Sequence, residues 1–293
     1  MKPIVALFLF ILIMFFSNAN AVTVNDVSLI KWNHDATELA VGYYDGSFRI
    51  VQPNDMVILF QQPSSDTYIS AFAWNHDGTK LAVGYYKKRV DIWDALSFQK
   101  LITLQTGDNE IAYLNWELDN ALFVGDGGEL PTIKFDTNTG NILERFPINY
   151  NRIQIISNSM AMTNNIRRVI FINLADMRVI NEVSFLDVNH IRMIKASPNH
   201  DILVVGFIDN NLHIVDMQSL ETLAVLNGGE VKFGYNGIVS LAFNETGSRL
   251  FTATQTGTIR SWDTSTWQMI ESVELDTLTF MVDFSPDTAQ VAY

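Results

Sequence analysis

The chain has no cysteine among its 293 residues. That excludes disulfides, thiol catalysis and a lipid-modified cysteine. Basic residues are scarce: 19 Lys and Arg stand against 32 Asp and Glu, for a formal charge of −13. Sequence-independent binding to nucleic acid needs basic surface, so this balance disfavours it. Acid excess on turns keeps a chain in solution. Long helical periodicity is missing, and so are Gly-x-Ser-x-Gly, Gly-rich phosphate loops and His-Glu-x-x-His. No cofactor is implied. Long apolar runs are limited to Ile4–Phe16, preceded by Lys2 and followed by Ser17-Asn18-Ala19-Asn20-Ala21. That run falls short of the ~20 residues needed to cross a bilayer, and Ala19-x-Ala21 fits a cleavage site. The expectation is a signal peptide over 1–21, a mature chain with no membrane span, and export to a periplasm or the exterior.

What is present is repetition. Ala71–Leu104 reads as four short strands separated by turns at Asn75–Gly78, Lys87–Lys88 and Asp94–Ser97. Leu29–Val51 repeats its first part almost letter for letter, and Trp32, Trp74 and Trp116 recur every 42 residues. Further copies start near 111, 191 and 238, with a worn one near 152 and a short last one near 279. One four-stranded sheet leaves faces and edges uncovered and needs its copies to bury them. A period of about 40–45 residues with four strands per unit marks a β-propeller, read here as one domain over 22–293.

The repeats resemble the WD40 family. Trp93-Asp94 and Trp262-Asp263 carry its dipeptide, with Phe135-Asp136 and Val215-Asp216 as softened forms. Ser197-Pro198-Asn199 and Ser285-Pro286-Asp287 match its turn after the innermost strand, and Asp45-Gly46 its turn between second and third strands. No copy has the Gly-His pair that usually precedes the first strand. The resemblance implies an all-β propeller of six four-stranded blades plus a partial seventh. The expected ring has a gap or an incompletely filled seventh position, completed by a further C-terminal segment or a second chain. An exported member looks bacterial by the same resemblance.

Five histidines are present: His34, His76, His190, His200 and His213. They lack close ligand spacing, and His34 and His76 occupy the same turn in successive copies, where they are expected to stand well apart. Gly125-Asp126-Gly127-Gly128-Glu129 reads as a turn, lacking the spaced carboxylates of a calcium loop. Aromatics recur instead. Tyr43-Tyr44 and Tyr85-Tyr86 follow Gly42 and Gly84, Phe207 follows Gly206, and Phe233 and Tyr235 lie in the long Asn227–Gly237 connection. That connection and Gln61–Tyr68 are assigned by the resemblance to one face, the top. Together with the basic run Lys87-Lys88-Arg89, these aromatics are candidate partner contacts, although alternation packs one Tyr of each pair between blades. The reading is a non-catalytic module binding a protein or peptide. The alternatives are a hydrolase- or lactonase-like propeller enzyme working in the channel and a structural part of an envelope assembly.

Overall fold

The computed structural model describes residues 27–116, 120–125, 132–146, 153–157, 160–164, 167–176, 178–185, 190–231, 237–275, 278–279 and 281–293, without side chains at 87–88, 108–110, 153, 155, 157 and 160–164. Residues 1–26, Phe233 and Tyr235 lie outside them.

Small and β-branched residues in short runs, broken by Asn, Asp and Gly turns, make antiparallel strands. Among the described residues six sheets have four strands each, hydrogen-bonded in chain order, and a seventh has two, Asp283–Phe284 and Val291–Ala292. The innermost strands are Val27–Trp32, Ile69–Trp74, Tyr113–Trp116, Ile153–Ser157, Ile191–Ala196, Ile238–Phe243 and Asp283–Phe284. Each neighbours the next, and the last lies between Ile238–Phe243 and Val27–Trp32. The fold is an all-β propeller.

The core sits between sheets. Seven apolar clusters occupy the successive junctions among the described residues, from Ile69, Trp74 and Tyr85 against Phe48 to Ala292 against Val41 and Tyr43. Second strands are therefore covered on both faces: Leu39–Tyr43 and Ala121–Gly125 are buried throughout, whereas the outermost Met269–Glu274 is mostly exposed. Close approach explains the recurring Gly. A Cβ on Gly42 would stand 2.9 Å from Ile69 Cβ, one on Gly84 2.7 Å from Ile111 Cγ2, and one on Gly206 2.9 Å from Ile238 Cβ. Ile69 and Ile238 begin the next sheet and Ile111 lies two residues before it, so a side chain there would wedge the junction open.

The sheets are also stitched near the channel. Trp74 Nε1 donates to the Lys31 carbonyl at 3.4 Å, Trp116 Nε1 to Ala73 at 2.8 Å, and Trp32 Nε1 to Asp283 at 3.1 Å. The seventh sheet thus meets the first through the bond that joins the first to the second and the second to the third. An apolar groove lined by Phe251, Ile259, Val273, Phe284 and Val291 runs between the sixth and seventh sheets.

Turns follow a shared chemistry. Asn33, Asn75 and Asn244 each accept the amide five residues on with Oδ1, and Ser197 and Ser285 do so with Oγ. The Asp of each Trp-Asp motif ends the third strand and caps the following turn. Asp94 accepts the Ser97 amide at 2.7 Å, Asp216 that of Ser219 at 2.6 Å, and Asp263 that of Thr266 at 2.9 Å. Such donors, led by the Ser97, Asn138 and Ser219 amides and by the Ser265 hydroxyl, hold the Asp94, Asp136, Asp216 and Asp263 carboxyls below their usual range. The expected turn at Lys87–Lys88 is corrected: both residues belong to strand Lys87–Asp94, whose partner strand extends to Glu110.

Candidate functional site

Strand pairing fixes the two ends of the ring. Tyr43 pairs with Val27 and Phe48 with Gln62, so the Tyr44–Ser47 turn and the Pro63–Tyr68 connection share one end, the top. The turns after Trp32 and Trp74 lie at the other. Gly46, with φ 78°, brings the top turn against the connection: a Cβ there would meet Ser65 Oγ and the Thr67 carbonyl at 2.1 Å. The Ser65 amide donates to the Asp45 carbonyl at 3.0 Å, and the Tyr86 amide to the Tyr68 carbonyl at 3.1 Å. The Asp45 carboxylate accepts the Ser47 amide and hydroxyl, which closes the turn.

This frame gathers three tyrosines. Tyr44 is 59% exposed. Its ring lies 5.8 Å from that of Tyr68, which stacks at 4.7 Å and 20° on half-buried Tyr86. Tyr68 was missed in the sequence because it stands alone before Ile69, with no counterpart in the other copies. Its signal is positional: it ends one of the two long connections. Exposed Asp45 and Asp66 flank the trio.

Other candidates fall elsewhere. Tyr43, Tyr85 and Phe207 are buried at 3%, 1% and 0% exposure and are corrected to inter-sheet packing. Their side chains alternate inward from the residues that follow them, of which Tyr44 is exposed and Tyr86 and Ile208 are half-buried. Arg89 is also corrected. Its guanidinium lies 4.1 Å over the Tyr85 ring and 3.5 Å from buried Asp91, so it is not an open basic patch. Burial, with Asp91 adding to it and Arg89 opposing, pushes the Tyr85 hydroxyl up to about 12. Lys87 and Lys88 follow Tyr86 in the chain. Trp93 and Trp262 are buried beside their capping aspartates, and Trp262 Nε1 donates to Thr252 Oγ1 at 3.2 Å.

The described ends of the other long connection are anchored by Asn210, which sequence reading overlooked. Its side chain donates to the Glu230 carbonyl at 3.0 Å and accepts the Gly237 amide at 2.7 Å. His34 and His76 do not stand apart as expected: their rings meet edge-on at 5.9 Å on the bottom side. The 42-residue repeat rotates one sheet onto the next by a small step near the axis, so equivalent turns touch there. His213 packs against Phe185 and Phe207 at 5.4 and 5.0 Å, and burial lowers its pKa. Among the described residues no three His, Asp or Glu side chains gather as metal donors, and no helix is long and apolar enough to cross a membrane.

Two family models match parts of the chain. The anaphase-promoting complex subunit 4 WD40 domain matches residues 53–119, and the WD domain, G-beta repeat, matches residues 228–263. The U3 small nucleolar RNA-associated protein 21 homolog of Schizosaccharomyces pombe is 33% identical over 86 residues, which is 29% of this chain and 9% of that protein. With the Trp-Asp caps and the ring of antiparallel sheets, these matches support a WD-repeat β-propeller.

Proposed function

We propose that the chain is a non-catalytic interaction module that binds a protein or peptide through the top of its first two sheets. The observation that carries this is the Tyr44–Tyr68–Tyr86 row, held open on strand ends that are themselves rigidly packed. Stacked tyrosines offer wide, stiff and amphipathic contact at low entropic cost. Phe233, Tyr235, Lys87 and Lys88 are proposed to extend the surface.

The six full sheets and the two-stranded one are proposed to be seven blade positions of one ring. The Trp32–Asp283 bond supports that reading. Export is a separate proposal resting on Ile4–Phe16 and Ala19-x-Ala21. N-terminal sequencing of the protein from its source should begin at Val22, and an intact Met1 would rule it out. The yeast relative is named as RNA-associated. The charge of −13 argues that an RNA-linked role for this chain would run through a protein partner.

The test is affinity capture with wild type, a Tyr44→Ala/Tyr86→Ala variant and a Leu96→Ala control, read by quantitative mass spectrometry. Leu96 is 91% exposed in a bottom turn. Partners lost from the Tyr variant and kept by the control support the top face. Identical partner sets for all three would refute it.

A further inference from the structure

Three charged side chains share one level of the channel. Lys31, Lys195 and Asp283 each precede the last paired residue of an innermost strand, opposite Ala40, Val204 and Ala292. Lys31 Nζ donates to Asp283 Oδ1 at 2.7 Å, and Asp283 Oδ2 accepts the Trp32 amide at 2.9 Å. Both oxygens of that carboxylate are committed to the first sheet.

Lys195 comes from the fifth sheet, which neighbours neither the first nor the seventh. Its ammonium nevertheless feels both Lys31 and Asp283, so the interaction crosses the channel. Among the described residues Lys195 forms no ion pair. Asp283 is thus paired with Lys31, and among the described residues the half-buried Lys195 is left without a counter-ion of its own. Such a cation is costly. Burial pushes the Lys195 pKa down, Lys31 pushes it further, and Asp283 opposes them. At the bottom rim, His34 touches His76 and feels the same two lysines. At the same level the second and sixth sheets contribute only Ala73 and Ala242, and the third contributes the Asn115 amide. Among the described residues the level is thus positively charged and has small side chains on two of its sides.

We propose that the lower channel binds a small oxyanion of the phosphate class between Lys31 and Lys195, with His34 and His76 at its entrance. The anion supplies the charge that Asp283 cannot share. Net protein charge would repel it, so affinity must come from these local groups.

The experiment titrates the full chain with inorganic phosphate, and separately with phosphoserine and acetate, by calorimetry and by NMR of the imidazole protons. Saturable binding of phosphate or phosphoserine, with a rise in the His34 pKa on binding, supports the site. The tighter of the two names the source as free phosphate or a phosphorylated ligand. Lys195→Met should weaken binding at least about tenfold, or about 1.4 kcal/mol. Ala242→Asp places a tethered carboxylate beside Lys195 and should also abolish binding. Its fold, checked by circular dichroism, separates loss of the site from loss of structure. Acetate binding as well as phosphate, a non-saturable response, or unchanged binding by both folded variants would overturn the proposal.

Discussion

The first three sheets and the last three close their junctions differently. The innermost strands of the first three end in Trp32, Trp74 and Trp116, and each indole N–H crosses to a carbonyl of the sheet before it. At the same position the last three carry Ala196, Phe243 and Phe284, which pack but cannot donate. The Trp junctions are fixed in register by a directional bond at this level, whereas the later ones pack here by shape and place their directional bonds elsewhere, as where Arg260 Nη1 donates to the Asn227 carbonyl and Thr279 Oγ1 to the Thr254 carbonyl. The repeat text is sharpest where the bond exists, because an indole requires a carbonyl at one height and so constrains its neighbours. The functional candidate follows the same division: the tyrosine row lies over the first two sheets.

The comparison predicts unequal responses to matched truncations. Trp116→Ala should cost about 3–5 kcal/mol for the lost aromatic, read by urea unfolding. Trp116→Phe isolates the bond. It takes the indole donor from the Ala73 carbonyl, which keeps its ladder partner Ala82, and should cost about 0.5–1.5 kcal/mol. Phe243→Leu, a change of shape with no bond to lose, should cost less than Trp116→Phe. Equal losses would mean that the indole bond contributes nothing beyond packing.

A second contrast sets buried aromatics against the exposed row. Phe207→Ala should destabilise by about 3–5 kcal/mol. Tyr44→Ala should stay within about 0.5 kcal/mol, as for exposed positions. A large loss at Tyr44 would make it a packing residue and remove the anchor of the proposed surface.

The sequence made the architecture readable because three devices repeat in it: Trp at the end of the innermost strand, Gly before the aromatic of the second, and Asp at the end of the third. Each acts locally or on the adjacent copy, so periodicity exposes it. The site was only partly readable. Whether Tyr43 or Tyr44 faces out depends on strand alternation, which the pair alone does not phase. Tyr68 joins the row through a connection that no other copy shares. Lys31 and Asp283 meet from 252 residues apart in the chain, with Lys195 between them in sequence, and only ring closure brings the three to one level. The same closure, acting near the axis, puts His34 against His76.

The capping aspartates give a pH test that should act on sheets of both halves alike. The carboxyls of Asp94, Asp136, Asp216 and Asp263 are held below 3.8 by amide and hydroxyl donors in the folded chain. A depressed folded pKa means the unfolded chain binds more protons, so this stability is present above about pH 4 and lost as pH falls through the folded values. Thermal unfolding should show a falling midpoint below pH 4. Replacing all four by Asn keeps an acceptor, removes the titration and should flatten that limb. An unchanged acid limb would assign the loss to other carboxylates.

A small effect is expected where one turn recurs in two copies that are otherwise nearly identical. The third residue after Asn33 is Ala36, at φ 60°, and the third after Asn75 is Gly78, at φ 70°. Both are left-handed, a region that costs a residue with a Cβ about 1–2 kcal/mol. Around Gly78 an added Cβ would meet nothing within 4 Å, so backbone strain is all that Gly78→Ala introduces. It should destabilise by about 1 kcal/mol, the strain being partly offset by the lower entropy of the unfolded chain. The reverse change, Ala36→Gly, relieves the same strain and loosens the unfolded chain, so it should be close to neutral or slightly stabilising. If Gly78→Ala were neutral while Ala36→Gly destabilised, the turn would draw its stability from the Ala36 methyl group rather than from backbone freedom, and the equivalence of the two copies would fail at this position.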